Sequence, residues 1–295
     1  MRLTLGRYVR YSDVGLAKIC RLYSQATQSP DSQFTVDMSP TKWLDAELCA
    51  PLAAVLCSLE AQGKSIEVTG TELGGLCEIL TRNGFLPAVG HVPHESTSQD
   101  PTVIPYRQFG FDASAAFAEH VACHFGSQRR GLPSMSPLLS TNFRASIFEL
   151  FENSKEHSES MLGFHSCGQY YPRKSRLTFS TADLGIGIRR NIRKHLGLRM
   201  PSFEAVKWAM QGNTTKLHGK RPGGLGLQLI REFITLNKGR LTLVSDRGFW
   251  QCSPAGLTAF QMQLPFPGTV VGFEIDTTDT HSYRMASEVD PNSIW

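Results

Sequence analysis

The sequence lacks the features that would place the chain in a membrane or in a disulfide-stabilised scaffold. Its 295 residues contain no run of about 18 apolar residues, so no membrane span is expected. The seven cysteines include no Cys-x-x-Cys pair, and three of them (Cys49, Cys57 and Cys77) lie in apolar stretches, which favours reduced core thiols. The first residues are too few and too polar for a signal peptide. We therefore expect a cytoplasmic protein without a membrane partner.

The chain also lacks a strong charge of either sign. Its net charge is +4, with 19% charged and 41% hydrophobic residues, which is typical of a globular protein with a sizeable core. Basic residues cluster at 173–176, 189–194 and 216–221. A solvated basic face explains the first two clusters, and the third adjoins a glycine-rich loop. Binding of phosphate or nucleic acid stays open as an alternative, as does a homodimer.

Alternating and helical patterns predict a small N-terminal α/β domain over residues 1–95. It contains strands at 33–37 and 65–69 and helices starting near Pro51 and at 73–82. The following residues, 96–105, are rich in proline and small polar residues and are predicted to be a linker.

A second, larger domain is predicted over residues 106–276, with its first strand beginning near Val103. We expect an α+β sandwich in which helices cover one face of a mixed sheet. The polar residues 277–295 are expected to form a loosely held tail. The helices of this domain are predicted from an Asp112 cap to 125, at 136–158, from a Ser202 cap to 211, and after 226, and the strands at 165–171, 177–183, 240–245, 257–263 and 270–275.

Glu149 and Asn153 form the first candidate functional pair. They are four residues apart in an amphipathic stretch, so they share one helix face. The Asn153 oxygen could bind Mg²⁺, which keeps several waters and takes other ligands from substrate phosphates. Glu149 could act as a general base on an attacking water or hydroxyl. The alternative is that both are solvent-facing helix residues.

Asp183, Gly185 and Gly187 form the second candidate motif, after an apolar run that predicts a strand. A carboxylate at a strand end can accept a hydrogen bond from an exocyclic amine such as adenine N6. The two glycines would let the backbone approach a flat base. The alternative is a simple Asp-x-Gly turn.

Gly223, Gly224 and Gly226 form the third motif, before a predicted helix. Exposed amides in a glycine loop at a helix N-terminus can bind phosphate. The loop matches neither a Walker A motif nor Gly-x-Gly-x-x-Gly. Thr215 and Lys216 precede it and could belong to a lid over the phosphates, although a solvated loop is the alternative.

In this order, the three motifs are similar to those of a known family. Residues 106–276 resemble the ATP-binding domain of gyrase-type topoisomerases, histidine kinases and anti-sigma-factor kinases, known as the GHKL or Bergerat fold. The motifs correspond to its N box and its two glycine boxes, and Gly268-Thr269 resembles its final Gly-Thr, whose hydroxyl helps to hold adenine. The resemblance implies an α/β sandwich that binds ATP and Mg²⁺ under a mobile lid, at 188–222.

The N-terminal domain shows a second, weaker resemblance, to STAS-like domains, the fold of anti-anti-sigma factors. The order of elements and the Asn83-Gly84-Phe85 ending carry it. The usual Asp-Ser phosphorylation motif is absent where Thr69-Gly-Thr71-Glu stands. Phosphorylation of Thr71 stays open.

The family resemblance implies a function with two alternatives. We expect an ATP-binding regulatory protein that hydrolyses Mg-ATP slowly and uses lid closure to control a protein partner encoded nearby. The alternatives are a serine/threonine or histidine protein kinase of the anti-sigma type and a non-catalytic, nucleotide-gated interaction module. Glu156 stands where kinases of the family commonly carry Lys, which favours hydrolysis with Glu149 as the base.

Overall fold

The computed structural model describes residues 1–71, 75–90, 100–126, 131–215 and 225–288. The strands are β1 (Arg2–Thr4), β2 (Tyr8–Val9), β3 (Gln33–Asp37), β4 (Trp43–Leu44), β5 (Ser65–Thr69), β6 (Val103–Phe109), β7 (Ser134–Met135), β8 (Phe164–Tyr171), β9 (Arg176–Leu184), β10 (Arg240–Ser253), β11 (Gly256–Asp276) and β12 (Ser282–Tyr283). The helices are α1 (Asp13–Gln28), α2 (Cys49–Ala61), α3 (Gly75–Arg82), α4 (Phe85–Ala88), α5 (Ser114–His124), α6 (Pro137–His157), α7 (Gly187–Leu196), α8 (Ser202–Met210) and α9 (Leu225–Leu236). No described helix is both long enough and apolar enough to cross a membrane.

The N-terminal region is built on a parallel sheet in the order β1-β3-β5. The predicted strands at 33–37 and 65–69 and the helix that contains Pro51 are confirmed. Helix α1 was not predicted. Its start is fixed by Ser12, whose hydroxyl accepts a hydrogen bond from the amide of Gly15 at 3.2 Å. Its buried face includes Leu16 and Ile19, so the apolar spacing was present in the sequence.

The larger region is built on a second sheet in the order β10-β11-β9-β8-β6. Every strand pair described in this sheet is antiparallel, so the prediction of a mixed sheet is wrong. The predicted strands at 257–263 and 270–275 are one strand, β11, which forms a long hairpin with β10. The two prolines in β11, Pro265 and Pro267, lie where the register shifts near Asp246. Bulges tolerate residues that cannot donate to the ladder, which is why the strand continues through them.

Helices and strands bury both faces of this sheet. Leu177 and Phe179 of β9 face a core shared with α5, α6 and α9, whereas Ala182 and Leu184 face a core shared with α1 and α2. The helices of the larger region, α5, α6, α8 and α9, therefore lie on one face as predicted, and α1 and α2 of the N-terminal region cover the other face by contacting β11 and β9. β9 is accordingly buried on both faces, although Thr178, Ser180 and Thr181 within it are polar.

Both helix caps predicted in this region differ in the structure. The predicted helix at 136–158 is α6, and its N-cap is Ser136, whose hydroxyl accepts from the amide of Leu139 at 3.1 Å. The N-cap of α5 is Ala113 rather than Asp112, and that of α8 is Pro201 rather than Ser202. The Ser202 hydroxyl instead donates to the Asp246 carboxylate at 2.9 Å, so it ties α8 to β10.

The predicted linker and tail are more ordered than expected. β6 begins at Val103, so 103–105 belong to the sheet, while residues 96–99 lie outside the described residues. In the tail, β12 pairs with β7, and the ring of Tyr283 packs edge-on against Phe233 at 5.3 Å between centroids. Residues 277–288 are therefore held on the fold, because a strand pair and an aromatic contact anchor them. Residues 289–295 lie outside the described residues.

Three valines test the burial of both sheet faces. Val270 and Val271 are neighbours on β11 that face opposite cores, with exposed fractions of 0% and 8%, whereas Val14 on α1 is 61% exposed. Val270→Ala and Val271→Ala should each lower the free energy of unfolding by ~2 kcal/mol, because each removes buried methyl groups. Val14→Ala should change it by less than ~0.5 kcal/mol. Denaturant unfolding measures all three. A Val270→Ala effect as small as that of Val14→Ala would contradict the packing of α1 and α2 on the sheet.

Candidate functional site

One cavity brings together five of the residues that the motifs predicted. It lies between α6, α7 and the end of α8 above the floor of the second sheet, and its empty volume with the open mouth is about 940 Å³. The predicted residues that line it are Asn153, Asp183, Gly187, Thr215 and Thr269.

Asn153 reaches the cavity because α6 is anchored by its other face. Ile147, Leu150 and Phe151 are buried, and Ile147 and Phe151 are fully so. This fixes the rotation of α6 and directs the half-buried Asn153 to the cavity. The Asn153 side chain makes no hydrogen bond with any described residue. Its amide is thus available to a ligand or to a hydrated cation.

Asp183 is placed by the pairing of β9 with β11, which sets it opposite Thr269. The Ser154 hydroxyl donates to its carboxylate at 2.7 Å, and the backbone amide of Thr269 donates to it as well. Burial raises the pKa of Asp183 to about 6, and these two hydrogen bonds oppose that rise. Asp183 is therefore mostly ionised at neutral pH and is an acceptor at the floor of the cavity.

The two glycines after Asp183 have different roles. Gly185 is not among the residues that line the cavity; a Cβ there would lie 2.1 Å from the carbonyl oxygen of Ser158. Gly185 therefore allows close contact with the end of α6, rather than with a flat base as predicted. Gly187 does line the cavity, and its φ of +70° suits glycine. A Cβ on Gly187 would lie 2.8 Å from the hydroxyl of Ser245.

Glu149 lies beside the N-terminus of α9 and not in the cavity wall. One of its carboxylate oxygens accepts a hydrogen bond from the amide of Gly226 at 2.9 Å. A carboxylate is stabilised at a helix N-terminus by the free amides and the helix dipole. A Cβ on Gly226 would lie 2.5 Å from that oxygen, so the contact depends on glycine. The predicted base and one predicted phosphate-binding amide are thus bonded to each other.

The segment that precedes the glycine loop reaches the cavity. Thr214 and Thr215 line the cavity. Lys216, Gly223 and Gly224 lie outside the described residues. The structure therefore places Thr215 at the site, and the roles expected for Lys216, Gly223 and Gly224 stay predictions.

Sequence reasoning missed several polar residues of the cavity, among them Ser154 and Asn191. Ser154 follows Asn153 directly and donates to Asp183. Asn191 on α7 lines the cavity, is 7% exposed, and has a side-chain oxygen without a hydrogen-bond partner among the described residues. Its position one helical turn after Gly187 was the available signal, since residues four apart share a helix face.

Most of the remaining wall is apolar, although His157, Thr181 and Asn213 also line it, and the described lining residues include no Lys or Arg. Leu243 and Val271 form part of the floor, and Ile188 and Trp208 lie on the helical side. The side chain of Lys155, next to the predicted metal ligand, instead donates to the hydroxyl of Ser114 at 3.3 Å. The described cavity therefore offers a mostly apolar slot with polar groups that include Asp183, Thr269, Asn191 and Asn153.

Ser154→Ala tests the electrostatics of the floor. The variant leaves the buried Asp183 carboxylate with one donor fewer, so the pKa of Asp183 should rise further above its usual range. Above that pKa the variant should lose ~1.5–3 kcal/mol of unfolding free energy, and at lower pH it should lose less, because the carboxyl is neutral there. Unfolding at a series of pH values measures this.

Ser146→Ala is the matched control for this prediction. Ser146 is also buried on α6, but its hydroxyl donates to the carbonyl of Asn142. Its effect on stability should not depend on pH in this range. Equal pH profiles for the two variants would contradict the contact between Ser154 and an ionised Asp183.

No family model matches the chain, and no curated protein matches it. The assignment of the cavity therefore depends on its geometry and on the chemistry of its lining.

Proposed function

We propose that the cavity binds ATP with Mg²⁺ and that the protein is an ATP-binding regulator that hydrolyses ATP slowly. One observation carries the proposal. Residues from α6, β9, α7, the end of the 213–215 segment and β11, singled out separately in the sequence, line the same cavity. Its mostly apolar floor suits a purine base, and its polar groups suit the polar parts of a nucleotide.

The adenine base would lie on the floor. Asp183 would accept a hydrogen bond from the exocyclic amine, and the Thr269 hydroxyl lies opposite it across the strand pair. The oxygen of Asn191 is buried and unpartnered among the described residues, so it would accept a second hydrogen bond from the nucleoside. A buried polar atom left without a partner is costly, and a ligand donor would remove that cost.

The phosphates and the metal ion would lie towards Asn153 and Thr215, which also line the cavity. The Asn153 oxygen suits Mg²⁺, which takes few protein ligands and keeps waters and phosphate oxygens. The ion would neutralise charge that develops on the phosphates. The Gly226 amide would reach phosphate once Glu149 releases it, because one amide hydrogen serves one strong acceptor.

Glu149 would then act as the general base. When its carboxylate leaves Gly226, it can accept a proton from a water that attacks the terminal phosphate, and ADP and phosphate leave as products. Phosphate competes with Glu149 for the same helix N-terminus, so nucleotide binding itself would free the base. This coupling would restrict proton transfer to the nucleotide-bound state.

We also propose that residues 106–276 belong to the GHKL fold and that the N-terminal region is a STAS-like domain. The support is the antiparallel sheet with the motif residues at the predicted strand end, and the parallel three-stranded sheet with its helices. Lid closure over 188–222, a range that contains most of α7 and all of α8, would alter the affinity of the protein for a protein partner. Thr71 is buried, which disfavours its phosphorylation in this conformation.

Protein phosphotransfer has no comparable support. Kinases of the family commonly place Lys where Glu156 stands, and the neighbouring Lys155 is engaged by Ser114. Hydrolysis therefore ranks ahead of the kinase. Labelled phosphate on protein, after incubation with γ-labelled ATP, would reverse that order. Binding without turnover would instead favour a nucleotide-gated module.

Glu149→Gln tests the proposed base. The amide oxygen of Gln can still accept from Gly226, so the fold and ATP affinity should be retained. Turnover should fall about 10²–10⁴-fold, because an amide cannot take the proton. Calorimetry measures binding, and phosphate release measures turnover.

Glu119→Gln is the control for this substitution. Glu119 is exposed on α5, so the same chemical change should leave turnover unchanged. Equal turnover in Glu149→Gln and the wild-type protein would sink the assignment of the base. Absence of ATP binding in both the wild-type protein and the variant would contradict the proposed function itself.

The pKa of Asp183 predicts a pH dependence of nucleoside binding. The folded pKa is raised to about 6, so the ionised acceptor is present above that pH and is lost as the pH falls through it. Affinity for adenosine should be highest above about pH 7 and fall up to ~tenfold for each pH unit well below the pKa. Adenosine is used because it carries no phosphate that titrates. Affinity that is constant from pH 5 to 8, a range chosen around the ordinary and raised carboxyl pKa values, would show that Asp183 is not the acceptor.

A further inference from the structure

A second cavity lies on the opposite face of the same sheet, where the N-terminal region covers it. Its empty volume with the open mouth is about 790 Å³. The N-terminal side is formed by 10–12, Asp45 and Glu47, and the sheet side by residues of β9, β10 and β11. Alternation along β11 separates the two cavities, because Gly272 lines this one and Val271 the other.

Four residues of this cavity each carry a buried polar atom without a hydrogen-bond partner among the described residues. They are the hydroxyl of Tyr11, one carboxyl oxygen of Glu47, and the Nε atoms of Arg176 and Arg240. Tyr11 is 8% exposed and Glu47 3% exposed. Buried polar groups normally have partners, and a cluster of exceptions around one cavity indicates a missing one.

The ion pairs of the cavity leave it with unbalanced positive charge. Asp45 contacts Arg10 at 3.4 Å and Arg176 at 3.5 Å, and Glu274 contacts Arg176 at 2.9 Å. Arg240 forms no ion pair with any described residue. With Lys174, the lining carries four cationic side chains against three carboxyls.

The cations also affect one another. The Lys174 ammonium lies 4.4 Å from the centroid of the Trp43 ring. Desolvation lowers the pKa of Lys174 below its ordinary value, and the nearby charges of Arg176 and Arg10 lower it further. A cavity in which positive groups disfavour one another is suited to an anion.

We propose that this cavity binds a small oxyanion, a metabolite with a carboxylate or phosphate head group, through donors from Arg240, Arg176 and Tyr11. Arg Nε–H groups are donors only, so they require an acceptor. The Tyr11 hydroxyl can donate to the same head group. An oxyanion presents several acceptor sites and offsets the surplus positive charge, whereas a neutral apolar ligand would satisfy none of the four atoms.

Glu47 adds a pH dependence to this site. Burial, and then the charge of Asp45, raise its pKa to about 7, while Arg176 opposes the rise. The other charged or titratable groups that face it are Tyr11, Arg10, Lys174, Tyr171, Arg240 and Glu274. A neutral Glu47 does not repel an anion and can donate to it. Binding should therefore be strongest below about pH 7 and weaken as the pH rises through the pKa.

Calorimetric titration of the full chain with acetate, sulfate and inorganic phosphate tests the site. Millimolar or tighter binding of at least one of them is expected. Acetate without phosphate identifies a carboxylate site, and the reverse identifies a phosphate site. Arg240→Gln should weaken binding at least ~tenfold. Arg21→Gln makes the same change on the exposed face of α1 and should have no effect.

Two further variants separate binding from folding. Tyr11→Phe removes a hydroxyl that has no described partner, so it should fold at least as stably as the wild-type protein and bind the anion several-fold more weakly. Glu47→Gln should bind acetate or sulfate without weakening between pH 6 and 9, a range in which neither anion changes its charge. No binding of any of the three anions overturns the proposal. So does unchanged affinity in Arg240→Gln or in Tyr11→Phe, and so does wild-type binding that strengthens with pH.

Discussion

The pairing of β9 with β11 is the constraint on which the rest of the structure depends. It is antiparallel and sets Asp183 opposite Thr269. Because successive side chains of a strand point to opposite faces, one pairing orders both surfaces. Phe179 then lies in the helical core, while Ser180 donates to the backbone carbonyl of Glu47 in the N-terminal region. Each cavity takes its floor from alternate residues of the same strands.

The two cavities differ in the hydrogen bonding and the pKa values of their buried carboxyl groups. Asp183 is held by donors from Ser154 and from the backbone of Thr269, so burial raises its pKa only to about 6. Glu47 has an oxygen without a described partner, and its pKa rises to about 7. A satisfied carboxylate is ready to accept from a ligand, whereas an unsatisfied one marks a place where a partner is missing.

The sequence was most reliable where a single periodicity extends without interruption. The strand at 65–69 and the helix predicted at 136–158 follow the predictions closely, because strand alternation and helical periodicity are local signals. The sequence prediction split β11 into two strands, at 257–263 and 270–275, with Pro265 and Pro267 between them. In the structure these prolines fit within one strand because the register shifts at the bulge opposite them. That α1 and α2 cover the second face of this sheet was not predicted, because no local pattern says which elements cover a sheet face.

The sequence alone determined several of the chemical groups that the candidate site contains. The spacing of Glu149 and Asn153, the position of Asp183 at a strand end, and glycine at the start of α9 are all readable from short segments. Only the tertiary structure decided how these groups meet. It brought Asn153, Asp183 and Thr269 to one cavity, and it bonded Glu149 to Gly226 outside it. The reason is physical: spacing fixes the face of an element, whereas distances between elements depend on strand pairing and on side chains packed between them.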